Sequence, residues 1–248
     1  MIHYLWINQI NRWAKMSKNI EFNNSGYKYI DIPQSAKKYV PDWYKEATKY
    51  FPDNKLKFIN GMPNLGLKLC IPFLEGFTTG YIAETWCDIL VTKTELGLKI
   101  DWRSTEDIPQ PLNERPKMVA STLPVPAGHA DQHYAWNNIF QMKLPKGYSL
   151  LLAHPFNRYD LPFTTLSGIV DADFGMQAGN VPFFIKSDFE GIIPAGTPMY
   201  QVIPFKREDW TSSKNEDLAE LSRRHSFENI RKIGGFYKKE FWNKKKYD

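Results

Sequence analysis

The sequence predicts a mainly β protein, a sandwich or a distorted barrel, with a helical arm near its C-terminal end. Five short strand-like segments follow one another between Phe140 and Phe205, separated by Gly, Pro or Asn. No helical pattern interrupts them, as it would in an alternating α/β sheet. Aromatic residues form 15% of the chain, and aromatic rings favour strands and packed cores.

The five segments are FQMKL, YSLLLAHPF, GIVDADF, VPFFI and PMYQVIPF. Upstream, TWCDILVTK and LGLKIDW predict two strands joined by a turn near TEL. CIPFLEGFTTGY fits either a short helix or a bent strand. Residues 104–128 contain five prolines and predict a surface loop, or alternatively a domain boundary.

These patterns divide the chain into three parts. Residues 1–55 are expected to form an extended and partly helical lead-in, and residues 56–210 a single all-β domain. Residues 211–248 are expected to form a basic helical arm. Met16 begins a stretch, MSKNIEF, that is typical of a protein start, so residues 1–15 are either native or an upstream extension.

Charge and cysteine content narrow the classes of partner. The net charge is +5, and the arm alone carries 10 Lys or Arg against 6 Asp or Glu. The rest is nearly neutral, so a nucleic-acid partner is not expected. The two cysteines, Cys70 and Cys87, predict free thiols in a reducing compartment. The sequence contains no apolar run long enough for a membrane span, so no membrane association is expected.

The segment SGIVDADFG places two aspartates on an otherwise apolar strand. Because strand side chains alternate, Asp171 and Asp173 are expected to share one face, and Val170, Ala172 and Phe174 the other. Such an acidic face is either one wall of a functional site or a set of acceptors for turn amides.

The segment HADQH is the clearest candidate metal motif. His129 and His133 would share one face of a helix, and His129, Asp131 and His133 loosely resemble a His-x-Asp iron pattern. The preceding PVPAG favours a surface loop instead, so no metal site is expected there.

The stretch from Gly147 to Phe205 resembles the core of dUTPase and dCTP-deaminase proteins. The similar elements are Gly147-Tyr148, the strand from Gly168 to Phe174, and the turn and strand from Gly196 to Gln201. The resemblance implies a compact, β-clip-like fold. It also implies that Asp171 is the catalytic carboxylate that positions water, that Phe174 packs on deoxyribose, and that Gln201 belongs to the later motif.

The departures from that family concern the phosphates. HPFNRYDLPF stands where the family has an Arg-Ser-Ser or Arg-Ser-Gly stretch, which leaves Arg158 as the residue able to contact an anion. Pro198 replaces the arginine of the later motif. Triphosphate hydrolysis needs cationic groups on the phosphates, so we expect the fold to be kept and the activity lost or replaced.

A second resemblance covers CIPFLEGFTTGYI, GYSLLLAHPFNR, GIVDADF and GTPMYQVIPFKREDW. These segments are similar to an uncharacterised family of tailed phages and bacteria. We therefore expect a non-enzymatic binding or structural protein, phage-encoded, in the host cytoplasm or the virion. Its expected partners are a second copy or a phage or host protein.

The alternative is a dUTPase-like nucleotide-binding protein or hydrolase, with Asp171 as catalytic residue and Asp173, Phe174, Gln201 and Arg158 as ligand-binding residues. No cofactor is expected, except Mg²⁺ under this alternative.

Overall fold

The computed structural model is built mainly from antiparallel strands, with 34% of residues in strands and 17% in helices. It describes residues 18–103, 105, 107–115, 123–175, 179–232 and 235–248. No sheet in these ranges closes into a barrel. The mainly β prediction is therefore confirmed, in its sandwich-like rather than its barrel form.

The strands in chain order are β1 (Glu21–Asn23), β2 (Gln34–Ser35), β3 (Phe58–Ile59), β4 (Met62–Pro63), β5 (Tyr81–Glu84), β6 (Ile89–Thr94), β7 (Gly97–Trp102), β8 (Leu112–Glu114), β9 (His129–Trp136), β10 (Gln141–Lys143), β11 (Tyr148–Ala153), β12 (Phe163–Thr165), β13 (Gly168–Asp171), β14 (Val181–Lys186), β15 (Gly191–Ile193) and β16 (Pro198–Lys206). The helices are α1 (Asp42–Glu46), α2 (Ile71–Thr78), α3 (Leu218–Arg231) and α4 (Phe236–Glu240), with 3₁₀ turns at Ala36–Tyr39 and Leu67–Leu69.

Two larger sheets form the framework. The five-stranded sheet has the order β13-β11-β16-β5-β2, and the four-stranded sheet has the order β12-β14-β9-β8. A three-stranded sheet, β15-β6-β7, and two ribbons, β1-β10 and β3-β4, complete the described strands. Because β1 pairs with β10 and β2 with β5, the lead-in supplies one strand to the ribbon β1-β10 and one to the five-stranded sheet.

Aromatic rings fill the core between the sheets. Trp136 on β9 stacks on Phe183 of β14, with ring centroids 3.7 Å apart and planes 6° apart. The Trp136 indole donates to the Thr165 hydroxyl at 3.1 Å, and that hydroxyl donates to the Met199 carbonyl oxygen on β16 at 2.7 Å. The polar edge of the indole is thereby satisfied, and the four- and five-stranded sheets are tied together.

The segment HADQH belongs to a strand, so the expectation of a surface loop was wrong. It begins β9, and His133 is buried. β9 is irregular between these two histidines, because His129 lies opposite Lys186 whereas His133 lies opposite Phe184. Regular strand alternation therefore does not relate the two side chains.

Candidate functional site

The two aspartates of β13 and its following turn converge on a single arginine, Arg207. Asp171 lies opposite Ser149 in the β11–β13 register, and its Oδ1 accepts the Ser149 hydroxyl at 2.6 Å. An Arg207 nitrogen lies 3.1 Å from the same oxygen. The Arg207 guanidinium also pairs with Asp173. Because β16 ends at Lys206, Arg207 is the first residue beyond the strand.

Asp173 is the more enclosed of the two carboxylates. Its side chain is 2% exposed, whereas that of Asp171 is 66% exposed. Asp173 Oδ2 also accepts the Gly147 N–H at 3.0 Å, and the Arg207 N–H donates to the Gly147 carbonyl oxygen at 2.9 Å. This cluster closes the turn before β11 against the turn after β13.

The same contacts set the protonation of the cluster. The Ser149 hydroxyl and Arg207 lower the pKa of Asp171. Arg207 and the Gly147 amide lower the pKa of Asp173. A general base works best with a pKa near the operating pH. Because the pKa of each carboxyl group is lowered, these groups are better suited to forming ion pairs than to abstracting a proton.

Phe174 does not continue the alternation predicted for this strand. β13 ends at Asp171, and the chain turns there. Val170 still packs on the core, and Ala172 is fully buried, but the Phe174 ring is 91% exposed. It lines a shallow groove of about 500 Å³ with the edges of β1 and β10.

Gln201 and Arg158 lie away from this cluster. Gln201 pairs with Ala153 on β11, whereas Phe205 pairs with Ser149, the residue that bonds to Asp171. Gln201 is therefore four residues of β16, about 13 Å, away from the Asp171 cluster. The predicted site residues therefore form two separate groups.

Internal bonds occupy both residues of the second group. Gln201 is buried and bonds to the backbone of three other residues. Arg158 donates to both carboxylate oxygens of Asp160, at 2.9 and 3.1 Å through Nε. Its Nη2 donates to Asp160 Oδ2 at 2.9 Å, and its Nη1 donates to the Tyr39 carbonyl oxygen at 3.4 Å. An anion at Arg158 would therefore compete with Asp160.

Sequence reasoning missed Arg207, although it stands in the quoted segment GTPMYQVIPFKREDW. A basic residue immediately after the last strand was the available signal. The pairing that brings it beside β13 depends on the β11–β16 register, which the sequence pattern does not give.

The candidate metal motif does not assemble into a site. His129 Nδ1 donates to the Ala127 carbonyl oxygen at 3.0 Å, and its Nε2 lies 2.9 Å from the Thr164 hydroxyl. Asp131 is exposed. Throughout the described ranges, no three His, Cys, Asp or Glu side chains are arranged to hold a metal ion.

An exposed apolar surface lies on the helical arm. α3 and α4 form the walls of an open groove of about 590 Å³. We call it the arm groove, and it is lined by Leu218, Leu221, Ser222, His225, Ser226, Phe236, Tyr237 and Phe241. Leu218 is 56% exposed and Phe241 is 45% exposed, so much of this surface faces water.

A second apolar surface adjoins the arm groove. Tyr237 also lines a smaller groove formed by residues 65–67 and 69–72. The hairpin β3–β4 and its flanks add further exposed apolar side chains. We call this surface the hairpin patch, and its members are Leu56, Phe58, Ile59, Met62, Leu65 and Leu67.

One side chain fixes the loop that carries the hairpin patch. Asn64 accepts the Lys57 N–H at 2.7 Å and donates to the carbonyl oxygens of Phe51 and Lys55 at 2.7 and 2.9 Å. Gly66 closes the loop through its N–H, which donates to the Lys49 carbonyl oxygen at 2.8 Å. The apolar side chains of the hairpin patch therefore lie on a loop that hydrogen bonds hold in one conformation.

The C-terminal segment packs back on the body. Lys245 pairs with Glu75 of α2 at 2.8 Å, and the Tyr247 ring contacts Tyr81 edge-on at 5.9 Å. These contacts engage part of the basic arm, residues 211–248, that could otherwise face a nucleic acid.

No protein-family model matches the sequence, and no curated protein matches it at a significant level. Within the described ranges, no helix combines the length and hydropathy needed to cross a membrane.

Proposed function

We propose that this chain is a non-enzymatic binding or structural protein that recognises another protein through the arm groove and the hairpin patch. The observation that carries the proposal is the exposed, ring-rich surface of the arm, which contrasts with the fully buried rings of the core. Contiguous exposed apolar surface is typical of interaction sites.

The shape of the surface favours a protein partner. An open groove between two helices accepts the apolar face of an amphipathic helix. The Asn64 bonds hold the adjoining loop in place, so less entropy is lost on binding than with a flexible loop.

The nucleotide alternative stays a prediction, with less support. Arg207 already pairs with Asp171 and Asp173, Asp160 pairs with Arg158, and Gln201 is buried. Binding of a triphosphate at these residues would require breaking internal bonds. Phage origin rests on the sequence resemblance alone.

Two measurements on the purified full chain test the proposal. A naphthalene sulfonate fluorophore should bind the wild-type protein at low protein concentration, and Leu221→Glu should weaken that binding. Leu96→Glu is the matched control, because Leu96 is exposed on the β6–β7 turn, remote in sequence from the arm. Both substitutions should leave the melting temperature nearly unchanged.

The second measurement addresses catalysis. Wild-type protein should show neither hydrolysis of dUTP or dCTP nor a shift in melting temperature with them, with or without magnesium. Hydrolysis that Asp171→Ala abolishes would overturn the proposal. If Leu221→Glu left fluorophore binding unchanged, the arm groove would not be part of the proposed interaction surface.

A further inference from the structure

We infer that the arm groove docks α3 of a second copy of this chain, with the two helices antiparallel. This inference rests on the proposed function and names its partner.

The apolar face of α3 is positioned for such a contact. Leu218, Leu221 and His225 are spaced i, i+3 and i+7, so they lie along one side of the helix. Across the arm groove, the His225 ring contacts Phe236 and Phe241, with centroid distances of 5.8 and 5.0 Å. Lys232 pairs with Glu240 at 3.2 Å and holds α4 against α3.

Charge distribution selects the orientation of the second helix. Asp217 immediately precedes α3, and its carbonyl oxygen accepts the Leu221 N–H at 3.3 Å. Arg224 lies within α3, three residues after Leu221, so the two charged residues lie on either side of Leu221 along the helix. Both side chains are exposed. Neither takes part in an ion pair within the described ranges.

In a two-fold symmetric pair with its axis beside Leu221, these charges are paired. Leu221 packs against Leu221 of the second copy, and Asp217 of each copy lies opposite Arg224 of the other. A parallel pair in the same register would instead place like charges together. Because the same surface supplies both halves, the complementarity is present in every pair of copies.

Sedimentation velocity of the full chain over a range of concentrations tests this arrangement. The wild-type protein should form a dimer, and Asp217→Arg or Arg224→Asp alone should raise the dissociation constant about tenfold, since each creates two symmetric like-charge contacts. The double variant Asp217→Arg/Arg224→Asp should restore the dimer, because it exchanges the charges. Melting curves verify that each variant is folded.

The outcomes separate this inference from the proposed function. A wild-type protein that stays monomeric at its highest soluble concentration would overturn self-docking, as would a dimer indifferent to both single reversals. If Leu221→Glu weakens fluorophore binding in that case, the arm groove remains an interaction surface for a different protein.

Discussion

Replacing Gln201 by methionine tests whether this residue serves a ligand or holds the fold together. The carboxamide accepts the Phe156 N–H at 2.9 Å and donates to the carbonyl oxygens of Gly76 and Thr79 at 3.0 and 2.5 Å. Methionine has similar length and no amide. The substitution therefore keeps most of the packing and removes all three bonds between β16, α2 and the loop after β11.

The loss of stability follows from the number of bonds and the burial of their partners. A neutral hydrogen bond contributes about 1 kcal/mol net, and a buried group left unpaired costs about 1–3 kcal/mol. The three backbone partners are only partly buried, so water will reach some of them. We expect the free energy of unfolding to fall by about 2–3 kcal/mol, which lowers the melting temperature by about 4–12 °C in a chain of this size.

Urea unfolding followed by tryptophan fluorescence, together with scanning calorimetry, measures both quantities. Gln141→Met is the matched control, because Gln141 is exposed on β10 and its loss should stay within about 0.5 kcal/mol. A Gln201→Met protein as stable as the control would refute the structural role. If such a protein had also lost binding of a deoxynucleotide that the parent binds, that result would identify Gln201 as a ligand-binding residue.

Three further predictions use the cited pKa shifts. Because Asp173 has a lowered pKa, Asp173→Asn should melt earlier than wild type at pH 7, and the difference should vanish as the pH falls through that lowered pKa; a constant difference would contradict the ion pair. Burial lowers the pKa of His133 and His154, so the unfolded state binds more protons and stability should decline below about pH 6.5. His154→Gln should make the free energy of unfolding, measured by urea titration, fall less steeply as the pH decreases. An unchanged pH dependence would show that His154 does not cause the decline. Burial raises the pKa of the Cys87 thiol to about 11, whereas Cys70 is exposed; a maleimide should therefore label Cys70 alone in the native protein, and rapid double labelling would contradict the burial.

Strand prediction succeeded where apolar alternation and turn residues agreed. The two strands around TEL are β6 and β7, and all five segments after Phe140 contain a strand. It failed at β9, where His129, Asp131 and Gln132 give a polar pattern. Tertiary packing overrides that pattern, because His133 is buried against the Phe184 ring, with centroids 5.7 Å apart.

The candidate site was predictable only in part. Strand alternation predicts Asp171 and Asp173 on one side, and both pair with Arg207, but Asp173 lies in the turn after β13 rather than on the strand. Arg207 is brought to them by the sheet register, which no local pattern specifies. The arm groove was missed for another reason. Rings among the lysines of the C-terminal arm indicate an apolar surface, but its shape depends on how α4 packs against α3.

The central place of β16 determines when the five-stranded sheet can form during synthesis. β11 pairs with β13 and β5 pairs with β2, and among the described strands β16 alone joins the two pairs. Residues 198–206 leave the ribosome after both strand pairs. Until β16 is available, β11 and β5 each have an unpaired row of backbone N–H and C=O groups. Such open edges are templates for pairing between chains. A nascent chain that stops before Pro198 therefore exposes two edges at once, and we expect it to aggregate or to be degraded rather than to persist as a partly folded domain.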